Sequence, residues 1–369
     1  LFIAKNIPTP SLKSNRVVFT IAENLDDAYH IDFLYPKEWV PFFLLGIKKY
    51  KPLVGLTSWE HKQFSVKVLT YVRLPISNMA LMLTARFLKI PKIVQRYKLI
   101  HAHFVVPDGY LAFLMHQKYG IPYGITIRNS DIMLLNQISK NSNTYNTIEK
   151  SLHGASFLTC LNSATKIQTK NHFNVNPVII PHGIEDEFIL KTPPKYEDKI
   201  HITCIGIFIK TKQIDWVIKA FKKLCQTKSL SLTIIGTGPE EQALKKLADG
   251  DSNIFFTGHI PKSKVMQYLT QSQIFLLPSR SETYGLVYNE AAARHNAIIG
   301  YKNQGPCGTF IEDQEMIFIE SYEEFLDEVS QLIENPAKRK MLADNALHKV
   351  SQLTWDRISK QYDALYSRI

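Results

Sequence analysis

Short apolar runs alternate with amphipathic helical patterns through the second half of the chain. The runs are rich in β-branched residues and predict buried strands at HITCIGIF (201–208), SLTIIG (231–236), NIFFTG (253–258), IFLLPS (274–279), AIIG (297–300) and MIFIE (316–320). Helical patterns separate them near 213–225, 239–248, 262–271, 285–295 and 321–334. Alternation at these lengths is typical of βαβ units around a parallel sheet, whose strands are buried on both faces. We therefore predict an α/β domain here.

The first half carries a weaker version of the same pattern. LIHAHFVV, YGITIRNS, SFLTCLN and PVIIPHG predict strands, and GYLAFLMHQKYG predicts a helix between the first two. The Pro-rich, charged segment EDEFILKTPPKYEDK (185–199) then resembles a linker. A chain of 369 residues is long enough for two domains. We predict an N-terminal domain over 1–184 and a second over 185–354, with a final helix over 355–369 packing back on the first.

The charge of the chain is concentrated in its first half. Residues 1–183 hold 21 basic and 9 acidic side chains, a net charge of +12, whereas residues 184–369 hold 23 and 24, a net charge of −1. A polyanion, an anionic membrane surface or an acidic substrate would each fit this asymmetry, and so would a basic domain that is merely soluble. Nucleic-acid binding is not expected, because basic and aromatic residues are not interleaved.

Localisation and cofactors are predicted from what the sequence lacks. No apolar run reaches the length of a membrane-spanning helix, and the start LFIAKNIPTP, without an initiator Met, does not resemble a signal peptide. The scattered cysteines predict reduced thiols in the cytoplasm: Cys160, Cys204, Cys225 and Cys307. Asp249-Gly250-Asp251 resembles a metal-binding DxD but lies where a helix should end, so we predict no essential metal and no cofactor.

Ligands of open parallel sheets bind beyond the carboxyl ends of the strands, where polar and Gly residues are therefore candidates. In the first half these residues are His101, His103, Asp108, Arg128, Asn129 and Asp131. In the second half they are Lys210, Lys212, Gly236, Gly238, His259 and the stretch PSRSETYGLVYNEAAARHNAIIG (278–300). His101 and His103 alternate on a strand and share a face, so that each is equally well read as a structural histidine.

Glu282 and Glu290 flank the predicted start of a helix near Gly285. The first backbone N–H groups of that helix, at Leu286 to Tyr288, form an anion site suited to phosphate. A carboxylate is a poor neighbour for phosphate but accepts hydrogen bonds from a vicinal diol. A nucleotide-sugar has a diphosphate between two sugars, so it needs one anion site flanked by two acceptors for sugar hydroxyls. The helix start and the two glutamates fit that requirement. Two alternatives remain: solvated residues of a first turn, or the acid–nucleophile pair of a glycosidase.

SRSETYGLVYNEAAA resembles the E-x7-E motif of retaining glycosyltransferases of family 4, which have the GT-B fold. LIHAHFVVPDGYLA, GIPYGITIRNSDI, IIPHGI, IGTGPEEQAL, NIFFTGHI and LTWDRISKQYDALY resemble further segments of that family. The resemblance implies two Rossmann-like domains whose parallel sheets face each other across a cleft. It also implies that a hexosyl group passes from a nucleotide-sugar to a glycan or lipid-linked acceptor, with retention of configuration.

The resemblance assigns roles residue by residue. Glu282 would contact the transferred sugar, Glu290 the ribose diol and Lys212 the diphosphate. The segment lining the sugar and diphosphate would be Thr283, Tyr284, Gly285, Leu286 and Val287. Lys210 and Gly238 are further donor-site candidates, and His259 and Ile260 would flank the base. In the first domain Arg128 and His103 are catalytic candidates, and His101, Asp108 and Asp131 are acceptor-site candidates.

Several positions depart from the family pattern. His295, Ala297 and Gly308 stand where the family has Gly, Pro and Glu, and the first loop, PTPSLKSNR, has no Gly. Ile207 replaces an Arg that usually accompanies the Lys, although Lys210 is a candidate substitute, and Arg128 replaces a His. Another GT-B activity such as epimerisation, or a non-enzymatic polyanion-binding protein, is therefore kept as an alternative. The segment 77–98 is read as a core-facing helix or, because of Arg86, Lys89, Lys92, Arg96 and Lys98, as a peripheral contact with the inner face of an anionic membrane.

Overall fold

The computed structural model describes residues 1–10, 16–39, 55–71, 90–194, 196, 199–225 and 229–369. They form two compact units, one of Leu1–Pro181 with Ile358–Ile369 and the other of His182–Arg357. The division after residue 181 lies three residues before the predicted boundary, and the return to the first unit begins three residues after the predicted one.

The first unit has an α/β fold, and its described strands form one sheet that is parallel except at one edge. Its described strands run in the order β3-β4-β2-β1-β5-β6-β7-β8, and β3 pairs antiparallel with β4. Their bounds are β1 Phe2–Ile3, β2 Phe33–Glu38, β3 Trp59–His61, β4 Phe64–Tyr71, β5 Ile100–Ala102, β6 Tyr123–Ile127, β7 Phe157–Cys160 and β8 Val178–Ile179. The described helices are α1 Val17–Glu23, α2 Tyr110–Tyr119, α3 Asn129–Leu135, α4 Asn143–His153 and α5 Ser163–Phe173.

The second unit contains a fully parallel sheet with the order β11-β10-β9-β12-β13-β14 among its described strands. The bounds are β9 Ile200–Ile205, β10 Leu230–Ile235, β11 Ile254–Gly258, β12 Ile274–Leu277, β13 Ala297–Tyr301 and β14 Ile317–Ile319. The helices are α6 Ile214–Leu224, α7 Glu241–Ala248, α8 Lys262–Gln271, α9 Leu286–Ala293, α10 Tyr322–Glu334 and α11 Pro336–Ser351. The predicted α/β class is confirmed.

The last helix, α12, spans Trp355–Tyr366 and packs its C-terminal part within the first unit. The Tyr366 hydroxyl lies 2.6 Å from His101 Nδ1, and Tyr366 and Tyr362 are both buried. This aromatic contact fixes the end of the chain beside β5.

Two glycines allow the loops after β9 and β10 to approach each other. A Cβ on Gly236, whose φ is +143°, would lie 1.9 Å from the Gly206 carbonyl oxygen, and one on Gly238 would lie 2.5 Å from that of Phe208. Real Cβ atoms do not come so close, so both positions exclude any larger residue. Gly238, a donor-site candidate, therefore has a structural role in shaping the carboxyl-end edge of the sheet.

Part of the segment 77–98 lies outside the described residues, including Arg86 and Lys89. Its described end forms a 3₁₀ helix over Lys92–Arg96 rather than an α-helix. Arg96 forms an ion pair with Asp32, which also accepts a hydrogen bond of 2.5 Å from the Tyr97 hydroxyl. Arg96 is therefore engaged within the unit. Among the described helices, none combines the length and apolar character needed to cross a membrane.

Candidate active site

The loop from Pro278 to Gly285 joins β12 to α9 and carries the candidate sugar-binding residues. It ends at Gly285, which has a φ of +79° and where a Cβ would lie 2.5 Å from the ring of Tyr288. The Tyr288 hydroxyl donates a hydrogen bond of 2.8 Å to the carbonyl of Leu277, the last residue of β12. The contact of Gly285 with Tyr288 and the hydrogen bond from Tyr288 to Leu277 thus hold the two ends of the loop together. The helix begins where the sequence predicts.

Lys212 and Glu282 form an ion pair at the carboxyl ends of β9 and β12. Their side chains are 13% and 12% exposed, and Lys212 Nζ also lies 3.4 Å from the Ser281 carbonyl oxygen. The Glu282 backbone N–H donates a hydrogen bond of 3.1 Å to the side-chain oxygen of Gln304, which comes from the loop after β13. Three loops thus hold Glu282 in place beside a cation.

Arg280 connects the loop after β12 to the turn that carries Lys212. Its backbone N–H donates a hydrogen bond of 2.8 Å to the carbonyl of Thr211. Its guanidinium lies 5.5 Å from the ring centre of Trp216 and 5.2 Å from that of Tyr301. A cation over aromatic faces is held in one orientation, so Arg280 fixes the spacing between the two loops.

The start of α9 offers fewer backbone donors than the sequence predicts. The Tyr288 N–H donates to the Gly285 carbonyl at 3.0 Å, so it is not an open donor, which corrects the prediction for that residue. The side chain of Tyr284 is buried, and its hydroxyl donates to the His182 carbonyl at 3.2 Å and accepts from Asn289 at 3.2 Å. Tyr284 therefore anchors the loop to its own unit, while Thr283 is exposed.

Glu290 lies on α9 and forms an ion pair with Lys262, the first residue of α8. Its side chain is 14% exposed, whereas that of Lys262 is 43% exposed. The ammonium of Lys262 also lies 5.5 Å from the ring centre of Phe188. The second glutamate thus has a cationic neighbour at the start of a different helix, α8.

The remaining donor-site candidates lie at the same edge of the second sheet. Lys210 follows β9 in a 3₁₀ turn and is exposed, as is His259 after β11, whereas Ile260 is half-buried. Ile207, which replaces the expected Arg, is 62% exposed. This replacement leaves the end of β9 with Lys210 and Lys212 as its nearby cations in sequence.

Arg128 and Asp131 are buried in the first unit. Asp131 Oδ2 accepts from the Arg128 N–H at 2.9 Å, and Oδ1 accepts from the Val105 N–H at 3.2 Å. Burial raises the pKa of Asp131 to about 6. Arg128 Nε donates to the His103 carbonyl at 2.8 Å, and its guanidinium stacks 4.8 Å from the ring centre of Phe104. Both side chains are thus held by the start of α3 and the end of β5.

Asp108 is fully buried, and burial raises the pKa of its carboxyl to about 8. One carboxyl oxygen accepts from the Lys5 N–H at 3.3 Å, while the Lys5 ammonium donates to the Val106 carbonyl at 2.9 Å. Asp108 is therefore mostly protonated near neutral pH. In that form its carboxyl is a hydrogen-bond donor rather than an anion.

The rings of His101 and His103 have centres 4.2 Å apart and planes tilted by 32°, which confirms that the two residues share a face. Both ring nitrogens of His101 have partners, because Nε2 lies 2.7 Å from the Thr126 hydroxyl and Nδ1 contacts Tyr366. Burial lowers the pKa of His101 to about 3. His101 is thus a neutral, fully bonded histidine inside the unit, which supports its structural reading over acceptor binding.

The Asp249-Gly250-Asp251 segment is a turn. Gly250 has a φ of +80°, and its N–H donates to Asp249 Oδ1 at 3.0 Å. Asp251 Oδ1 accepts from the Asn253 N–H at 2.9 Å. Within the described ranges, no three His, Cys, Asp or Glu side chains are grouped as metal ligands.

Sequence reasoning missed three residues that contact the candidates: Lys5, Lys262 and Gln304. The contacts of Lys5, Lys262 and Gln304 with the candidates cross long stretches of chain, and spacing cannot reveal them. Lys262 alone carried a signal, because a cation in the first turn of a helix opposes the helix dipole.

The two halves of the chain match two family descriptions. Residues 14–188 match "Glycosyltransferase Family 4", and residues 185–349 match "Glycosyl transferases group 1". The chain belongs to these glycosyltransferases. The two matches meet at 185–188, close to the division between the units.

Two curated relatives and a solved structure illustrate the similarity. The putative teichuronic acid biosynthesis glycosyltransferase TuaC of Bacillus subtilis is 25% identical over 229 residues, which cover 59% of this chain and 57% of that protein. N-acetyl-alpha-D-glucosaminyl L-malate synthase of Bacillus anthracis is 24% identical over 305 residues, covering 75% of this chain and 77% of that enzyme. HepE of Anabaena, solved in complex with UDP, has a TM-score of 0.74 at 14% identity and covers 100% of this chain and 99% of its own. This last likeness shows the GT-B fold.

Proposed function

We propose that this glycosyltransferase moves a hexosyl group from a nucleotide-sugar to a glycan or glycolipid acceptor in cell-surface polysaccharide synthesis, with retention of configuration. The observation that carries the proposal is the Lys212–Glu282 ion pair at the edge of the sheet where α9 begins. It places a cation and a carboxylate beside a helix start. Such a combination suits a diphosphate next to a sugar.

The donor would bind the second unit. Glu282 accepts hydrogen bonds from hydroxyls of the transferred sugar, and Lys212 meets the diphosphate as the bond to the sugar breaks. The negative charge on the leaving diphosphate grows in that step, so a fixed cation stabilises the transition state more than the ground state. HepE, which shares the fold, was solved with UDP and with UDP-glucose, which supports a nucleotide-sugar as the donor class.

The acceptor would bind the first unit. Its hydroxyl attacks the anomeric carbon while the bond to the diphosphate breaks, and the departing diphosphate takes the hydroxyl proton. No dedicated protein base is then required, in keeping with the neutral, fully bonded state of His101. The name of TuaC, a putative teichuronic acid biosynthesis glycosyltransferase, supports a polysaccharide as the acceptor class.

We also propose a peripheral contact between the first unit and an anionic membrane at the cytoplasmic face. The support is the net charge of +12 in residues 1–183, with Lys92 and Lys98 exposed. Each basic residue near an anionic leaflet contributes about 1 kcal/mol, and salt screens the attraction. Sedimentation with phosphatidylglycerol vesicles should rise with anionic lipid and fall with salt. Equal sedimentation with neutral and anionic vesicles at low salt would contradict the contact.

The experiment that tests the transferase proposal has two steps. Calorimetry of the full chain with UDP, GDP and ADP should find at least one nucleoside diphosphate that binds. The corresponding nucleotide-sugars are then incubated with and without lipid-linked or soluble glycan acceptors, and the anomeric configuration of the product is read by NMR. A chain that binds a nucleotide-sugar but transfers its sugar to no acceptor, and epimerises it instead, would refute the transferase role.

A further inference from the structure

Lys262 contacts Glu290, although the sequence assigns Lys262 no role in the site. It is the first residue of α8, directly after the loop that follows β11, whereas Glu290 lies on the helix that follows β12. The two strands are not neighbours in the sheet, because β10 and β9 lie between them. The ion pair therefore joins two helices, α8 and α9, that follow separate strands of the sheet.

The position of Lys262 is unfavourable for its own helix. The N-terminal turn of a helix carries a partial positive charge, so a cation there is unfavourable. The first turn of α8 has no acidic residue to compensate, and Pro261 at the N-cap provides no side-chain hydrogen bond. Helix stability therefore does not explain why an ammonium group lies there.

The ion pair itself is also a weak source of stability. Solvent-exposed ion pairs add little to stability, and nearly half of the Lys262 side chain is exposed. An ammonium has three N–H donors, and a carboxylate accepts up to about four hydrogen bonds, so one contact between them leaves most of both capacities unused. The ring of Phe188, 5.5 Å from the ammonium, limits where that ammonium can move.

We propose that Lys262 is a specificity residue that, together with Glu290, recognises the ribose diol of the donor nucleotide. Each ribose hydroxyl has one O–H to donate and lone pairs to accept with. The carboxylate of Glu290 accepts from the diol while the ammonium of Lys262 donates to a hydroxyl oxygen. The inference rests on the proposed function and deepens it by naming the part of the ligand that Lys262 reads.

The test compares ribonucleotides with their 2′-deoxy counterparts. Affinities for UDP, GDP and ADP, and for the matching 2′-deoxynucleoside diphosphates, are measured by calorimetry in wild type, Lys262→Met and Lys264→Met. Methionine keeps the length and apolar stem of lysine but removes the donor. Lys264 is the matched control, because it is exposed in the same first turn of α8 and carries the same charge.

Wild type should prefer the bound ribonucleotide over its 2′-deoxy form by about tenfold or more, since one lost charge-assisted hydrogen bond corresponds to at least that factor. Lys262→Met should reduce this preference to about threefold or less, while Lys264→Met keeps it. Circular dichroism of the variants confirms that both remain folded.

Three results would overturn the inference and leave the proposed function intact. An unchanged ribose preference in Lys262→Met would show that Lys262 does not read the diol. If Lys262→Met loses affinity equally for the ribonucleotides and the 2′-deoxynucleotides, Lys262 contacts the phosphates instead. If it gains affinity equally for both, Lys262 competes with the nucleotide for Glu290. A wild-type chain that binds none of the nucleotides would overturn the proposed function and this inference together.

Discussion

The ammonium of Lys212 and the carboxylate of Glu282 form an ion pair between the turn after β9 and the loop after β12. The two strands are neighbours in the sheet, so residues 70 positions apart in the sequence come into contact. Neither side chain is well exposed. Each therefore depends on the other for compensation of its charge, and we expect the two residues to act as one unit.

Lys212→Met and Glu282→Gln should each lower kcat by about 10²-fold, because each removes a group that meets charge or hydroxyls in the transition state. The double variant should lose much less than the product of the two single losses, because the partner of a removed group is already misplaced. Steady-state transfer assays on the three variants measure how strongly the effects of Lys212 and Glu282 on kcat depend on each other. Lys219→Met is the control, since Lys219 pairs with Asp215 at 2.8 Å on an exposed face. Fully multiplicative losses would contradict the coupling.

Glu290→Gln should weaken binding of a free nucleoside diphosphate by about 1.5–3 kcal/mol, roughly 10- to 150-fold, because the ribose diol loses a charged acceptor. Glu282→Gln should lose much less affinity for the same nucleotide, because a free nucleoside diphosphate lacks the transferred sugar. Calorimetry with the same nucleotide on both variants makes the comparison. Equal losses of affinity in the two variants would contradict the assignment of Glu290 to the ribose and of Glu282 to the transferred sugar.

The second unit could be predicted from the sequence more closely than the first, for a physical reason. Strands buried on both faces appear as continuous apolar runs, and the observed β10, β11 and β13 begin and end within one residue of the predicted bounds. The hairpin of β3 and β4 gives no such signal. Its turn has Lys62 at a φ of +52°, where a sequence-based prediction looks for Gly or Asn.

The site was predictable only in part. Loops at the carboxyl ends of strands follow from the βαβ pattern, so Lys212, Glu282 and Glu290 could be placed at one edge. The partners of these residues could not, because Lys262 and Gln304 reach them from other loops. The helix α11 was also missed, since Ala343 and Ala346 supply much of its buried face and alanine gives weak periodicity.

Transfer activity should survive EDTA. The carboxylates of Asp249 and Asp251 accept hydrogen bonds from their own turn, while Lys212 provides a cation beside the candidate diphosphate position. Rates are measured after dialysis against EDTA, and again after addition of Mg²⁺ or Mn²⁺. Loss of activity with the chelator, restored by either ion, would show that a metal is required.

Gly236→Ala should destabilise the second unit by about 3 kcal/mol or more, because the new Cβ would meet the Gly206 carbonyl oxygen and force the two strand-end loops apart. Gly250→Ala is the matched control. Gly250 also has a positive φ, but a Cβ there would meet no atom within 4 Å, so its cost should be about 1 kcal/mol. Denaturant unfolding followed by circular dichroism compares the two variants. Similar costs at both positions would mean that the close approach is not what Gly236 provides.

Asp108 should make the first unit less stable as pH rises. Its pKa is raised by burial to about 8, well above the value of about 3.9 in an unfolded chain. A raised folded-state pKa contributes stability that is fully present below about pH 4 and is lost as pH rises through about 8, by up to about 1.4 kcal/mol per pH unit. Asp131, whose pKa is raised to about 6, adds to the same trend at lower pH.

Asp108→Asn should therefore flatten the dependence of the melting temperature on pH between about 5 and 8, because an amide has no proton to lose. The exposed Asp27→Asn is the control and should follow wild type. Thermal unfolding at half-unit pH steps measures all three proteins. The direction of the difference is decisive: relative to wild type, Asp108→Asn should gain stability toward pH 8 rather than toward pH 5. A gain that is constant with pH would mean that Asp108 does not change its protonation state in this range.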